Sequence, residues 1–110
     1  MQPTVQITFR DLPKSPAIEQ NILERASKLN QLFDKITSCR VLIEAPHRHH
    51  HKGKQYHVRI DLSVPGQELV VAHDPGKDQQ REDAYVAVRD AFFAAQRQLK
   101  TYINRLHRHH

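Results

Sequence analysis

The sequence predicts an α+β fold, a two-layer sandwich of order β-α-β-β-β-α in which two helices cover one face of a four-stranded, mainly antiparallel sheet. Three observations predict it. Apolar and polar residues alternate in four short stretches, the period of half-buried strands. In two longer stretches apolar residues recur every three or four positions, the period of amphipathic helices. A length of 110 residues leaves room for one core and not for a second.

The elements follow in order. Val5, Ile7 and Phe9 alternate with Gln6, Thr8 and Arg10 and form the first strand. Pro13 and Pro16 end it, with Ser15 as N-cap and Pro16 at the first helical position. Glu19 lies one place too late for a capping box, so Ser15 and Pro16 alone mark the start. Ile18, Ile22, Ala26, Leu29 and Phe33 then line one face of a helix. Cys39, Val41, Ile43 and Ala45 give the second strand, closed by Pro46, and a polar segment follows. Tyr56, Val58, Ile60, Leu62 and Val64 form the third strand. Its turn, Val64-Pro65-Gly66-Gln67, has the proline and glycine of a type II turn. Leu69 to Ala72 returns as the fourth strand, and residues 73–81 read as loop. The last helix begins near Glu82 or Asp83, acids suited to its positive end. Ala84, Val88, Ala91, Ala95, Leu99, Tyr102 and Leu106 line one face, with Phe92 and Ile103 beside them. Tyr85 and Phe92 are both expected to pack in the core. The sheet face away from the helices is expected to carry Gln6, Thr8, Arg10, Arg40, Glu44, His57, Arg59 and Asp61. A single domain over 1–106 with a basic, histidine-bearing tail at 107–110 is the expected organisation.

Composition narrows the function. Cys39 is the single cysteine, which excludes an intrachain disulfide and a four-cysteine zinc site. Its place on an apolar strand face suits a small buried hydrophobe, and one cysteine suits a reducing cytoplasm. No apolar run reaches signal-peptide or membrane-spanning length, so a cytoplasmic location without membrane contact is expected. The formal charge is +5, and it is unevenly spread. Arg48, Lys52, Lys54 and Arg59 fall with five histidines in an acid-free stretch, 47–59. Arg97, Lys100, Arg105 and Arg108 follow the last acid, Asp90. These stretches hold eight positive charges, leaving the remainder near minus three. Such segregation suits a protein that tracks phosphates. His57 or Tyr56 could stack on an exposed base.

Three segments carry a family resemblance. Asp83-Ala84-Tyr85-Val86-Ala87-Val88, then Arg97-Gln98-Leu99-Lys100, resembles a D-x-Y-x-A-I-D pattern followed by R-Q-L and further lysines. Lys28-Leu29-Asn30-Gln31-Leu32-Phe33-Asp34-Lys35-Ile36 resembles a K-L-x-x-Y/F-F-D-x-I pattern. Both patterns, in this order, are those of the ribosome hibernation promoting factor and ribosome-associated inhibitor family, the sigma-54 modulation proteins. The resemblance spans nearly the whole chain and is to the family's short form. It implies a fold similar to a double-stranded-RNA-binding domain and a non-catalytic role. The implied partner is the ribosome, at the small-subunit rRNA channel for mRNA and tRNA, where idle ribosomes are silenced under stress or in stationary phase. It places rRNA contacts at Arg25 and Lys28 in the first helix and at Arg97 and Lys100 in the second. With the basic stretches, the candidate rRNA-binding set is Arg25, Lys28, Arg48, Lys52, Lys54, His57, Arg59, Arg97, Lys100 and Arg105. The chain departs from the pattern at Ala94 and Ile103, where many members carry lysine, and at Arg89-Asp90. It also adds the basic segment 46–54, a feature of a distinct histidine-rich subgroup.

Other function classes are weaker. His47, His49 and His51 share a side if the backbone is extended, and His57 could face them across a hairpin. No carboxylate or cysteine completes that set, and Lys52 and Lys54 would repel a cation, so adventitious rather than required metal binding is expected. Paired carboxylates, a glycine-rich phosphate loop and a nucleophile elbow are missing, and His73-Asp74 has no nucleophile partner. No catalytic residue, cofactor or small-molecule substrate is therefore assigned, and a monomer is the expected state. A regulatory RNA-binding or protein-interaction module acting away from the ribosome is the alternative, with a histidine-based metal-binding protein or metal-dependent hydrolase behind it.

Overall fold

A computed structural model describes residues 3–45, 56–73 and 83–108. Six elements follow in the expected order: β1 (Thr4–Arg10), α1 (Pro16–Leu32), β2 (Ser38–Glu44), β3 (His57–Val64), β4 (Gln67–His73) and α2 (Ala84–Arg108). The strands lie side by side in chain order. β1 and β2 are parallel, because α1 carries the chain back between them; β2, β3 and β4 are antiparallel.

Local chemistry sets the boundaries. Asp11 takes a left-handed conformation (φ 62°) where β1 ends, a region Asp tolerates better than most residues. The Ser15 hydroxyl accepts from the Ile18 amide at 3.2 Å, and Pro16 occupies the first turn, as the sequence predicts. Phe33 closes α1: its amide still reaches the Leu29 carbonyl at 3.0 Å while its own backbone is extended. Gly66 has φ +84°, the conformation the turn between β3 and β4 demands. At α2 the cap is Asp83, whose carboxylate accepts from the Tyr85 amide at 2.8 Å. His73, expected in a loop, is the last residue of β4, and α2 continues through His107 and Arg108.

The core lies between sheet and helices. Ile18, Ile22, Ala26 and Leu29 of α1 meet Val41, Ile43, Ile60 and Leu62 from the strands, with Val88, Ala91, Phe92, Ala95 and Leu99 from α2. Small residues on α2 (Ala87, Ala91, Ala95) are all buried. The Tyr102 hydroxyl donates to the Pro65 carbonyl at 2.6 Å, tying the end of α2 to the β3–β4 turn, a bond worth about 1 kcal/mol. Its ring meets Phe33 edge-on, 5.6 Å between centroids.

Two expectations about α2 need correction. Phe92 is in the core at 3% exposure, but Tyr85 is not: it stands 41% exposed in the first helical turn. Leu106 is likewise exposed, because α2 runs on past the core beyond Tyr102.

Cys39 is fully enclosed on the core face of β2, and its thiol is pushed up to about 12, chiefly by burial and secondly by the charge of Asp61. It is no nucleophile at neutral pH. Because the folded pKa lies above the unfolded one, the thiol's contribution to stability is intact below about pH 9. It is lost as pH rises towards 12, by at most about 1.4 kcal/mol per pH unit. Wild type should therefore exceed Cys39→Ala in urea midpoint near neutrality, and the gap should narrow between about pH 8 and pH 10.5. A gap that stays constant would contradict this account.

Candidate nucleic-acid interface

The molecule presents two polar faces of different character. On the open sheet face the cross-strand register stacks charged residues in rows: Arg10, Glu44 and His57; Gln6, Arg40, Asp61 and Val70; Thr4, Ser38, Ser63 and Glu68. Arg40 reaches Glu68 at 2.6 Å and Asp61 at 3.4 Å. Arg59 holds the other Asp61 oxygen at 3.0 Å, and Arg10 lies 3.8 Å from Glu44. The hydrogen bond to Asp61, reinforced by that carboxylate's charge, raises the Arg59 pKa above its usual value. Ser38 and Ser63 share a 2.9 Å bond. These cations sit among as many carboxylates, so the face is close to neutral. Leu42, absent from the expected set, shares it in the row between Thr8 and Arg59.

The helical layer differs. α1 follows β1 and α2 follows β4, so both helices start at one end of the sheet and run towards the β3–β4 turn. Phe33 and Tyr102 mark where they meet there. The later halves of both helices carry the cations. Arg25 is half-buried, its guanidinium donating to the Asn21 side chain at 3.0 Å, a neutral partner. Lys28, Arg97, Lys100, Arg105 and Arg108 are exposed, and none has an acid partner among the described residues. Arg97 and Arg105 flank a shallow groove between α2 and β4, lined also by Gln67, Leu69, Gln98 and Thr101. The Gln98 amide spans it to the Val70 carbonyl at 3.4 Å.

The expected contact residues thus divide. Arg25 and Lys28 on α1, and Arg97, Lys100 and Arg105 on α2, all lie in the helical layer, in the halves of the helices nearer the β3–β4 turn. His57 and Arg59 lie on the opposite sheet face, near the far end of the strands. Arg48, Lys52 and Lys54, with the metal candidates His47, His49 and His51, fall outside the described residues. Their segment joins β2 to β3 at that far end. Among the described residues, the expected set is therefore split between the helical layer and the opposite sheet face.

Sequence reading missed one feature here. Among the described residues Phe93 is the most exposed large hydrophobe, at 48%, and the Arg89 guanidinium lies 6.0 Å from its ring centroid. Its position off the apolar stripe was the available signal. Among the described residues no group of His, Cys, Asp and Glu could hold a metal ion. No helix among them is long and apolar enough to cross a membrane.

The family model described as Sigma 54 modulation protein / S30EA ribosomal protein matches residues 5–107. No curated protein matches the chain in sequence. Among solved structures, a ribosomal subunit interface protein from Coxiella burnetii superposes with a TM-score of 0.74 at 16% identity, covering 92% of this chain and 98% of that one. The N-terminal domain of Protein Y from Thermus thermophilus gives 0.71 at 18% identity, covering 93% and 99%. Both share its α+β sandwich.

Proposed function

The chain belongs to the Sigma 54 modulation protein / S30EA ribosomal protein family, and from that premise we propose that it is a non-catalytic, ribosome-associated translation inhibitor. In this reading it binds rRNA in the small-subunit channel for mRNA and tRNA, in the cytoplasm, and works by occupying that space. One observation carries the choice of surface. The cations of the open sheet face are neutralised by Glu44, Asp61 and Glu68, whereas Lys28, Arg97, Lys100 and Arg105 have no acid partner among the described residues. Phosphates displace counterions from unpaired cations at little cost; from paired ones they must first break an ion pair. The helical layer is therefore the main contact surface. Arg48, Lys52 and Lys54 of the segment joining β2 to β3, together with His57, supply a second anchor. Arg59 contributes less because Asp61 holds it.

Sedimentation of stationary-phase lysate through a sucrose gradient tests this. The protein should travel with small subunits or whole ribosomes and leave them as salt is raised. Recovery only at the top of the gradient would favour a module that acts away from the ribosome.

A further inference from the structure

Residues four apart on a helix form a ridge, and the ridge of α2 starting at Tyr85 has an unusual composition: Tyr85, Arg89, Phe93, Arg97, Thr101, Arg105. Every one of these side chains is exposed. Tyr85 and Phe93 are 41% and 48% exposed, so each leaves part of an aromatic ring open to a partner. Arg89 leans on the Phe93 ring and is held there by Asp90 at 3.2 Å. Arg97, one turn further, has no acid partner among the described residues. A ring backed by one guanidinium and followed by an unpaired one is the arrangement that takes a nucleobase face with its adjoining phosphate.

We propose that this ridge is a stacking platform for unpaired RNA: Phe93 takes the face of a splayed-out base, Arg97 takes the neighbouring phosphate, and Tyr85 extends the platform. The proposal rests on the rRNA-binding reading above and refines it. The duplex-like part of a structured RNA meets the unpaired cations, and an unstacked loop or strand meets the ridge. Charge argues for RNA over an apolar protein segment, since the rings alternate with arginines and no acid follows Asp90.

Binding of the full chain to a single-stranded RNA decamer and to a blunt RNA duplex of equal length, at one ionic strength, tests it. Phe93→Ala should weaken the single-strand complex about tenfold and leave the duplex complex within about twofold, with an unchanged salt slope. The residue is exposed on a helix, where alanine is favoured, so the variant folds. Phe93→Tyr should restore the single-strand affinity. Equal loss on both RNAs, or loss on neither, overturns the platform. So does a variant that loses ribosome binding but keeps single-strand affinity, which would assign the ridge to a protein contact. Ribosome co-sedimentation of wild type scores the broader reading separately.

Discussion

Replacing Arg97, Lys100 and Arg105 together by glutamine should lower ribosome affinity by about a hundredfold or more at moderate salt and flatten its salt dependence. Each phosphate contact contributes roughly 0.7 to 0.9 to the slope of log affinity against log salt, so losing three reduces that slope by about 2 to 3. The substituted side chains are exposed and long, and glutamine keeps helix propensity, so the fold is untouched. Arg40→Gln and Arg59→Gln are the matched controls. Each removes a positive charge from the open sheet face, where Asp61 and Glu68 already engage it, and each should change affinity by no more than about threefold. Co-sedimentation across a salt series gives both numbers. If the sheet variants lost as much as the helical triple, the surface would be wrongly assigned.

Leu99→Ala should destabilise the fold by about 3 to 4 kcal/mol, measured by urea or thermal unfolding. Leu99 is completely enclosed, in the stretch of α2 that lies between Ala95 and Tyr102. Truncation removes its contacts, and neither helix nor sheet can collapse into the gap without disturbing Tyr102, whose hydroxyl is fixed to Pro65. For a domain of this size that is a large part of the total stability. Leu106→Ala, one heptad further along, should cost under about 0.5 kcal/mol because its side chain already meets water. A similar cost for both would mean that α2 is not seated as described.

The heptad through that pair shows what the sequence could and could not reveal. Tyr85, Phe92, Leu99 and Leu106 are seven apart and share one helical angle. Periodicity treats them alike, yet the middle two are buried and the outer two exposed. Period reports which side of a helix is apolar; how far the supporting sheet extends beneath it depends on tertiary assembly. Strand patterns, the Ser15-Pro16 start and the Pro65-Gly66 turn were legible because each rests on contacts within a few residues. Charge pairing was half legible. Arg59 and Asp61 are two apart on one strand and necessarily share a face, whereas Arg40 and Glu68 meet only through the register of three strands. Counting acids along the chain therefore made 47–59 look wholly unpaired, although Asp61 just beyond it engages Arg59.

Among the described residues, a neutral sheet face opposite a cationic helical end leaves the charge unevenly distributed over the fold. In the field of a polyanion such a body is turned before it touches, so most arrivals present the same side. Added salt should then slow association much more than it hastens departure, a signature that stopped-flow mixing would read directly.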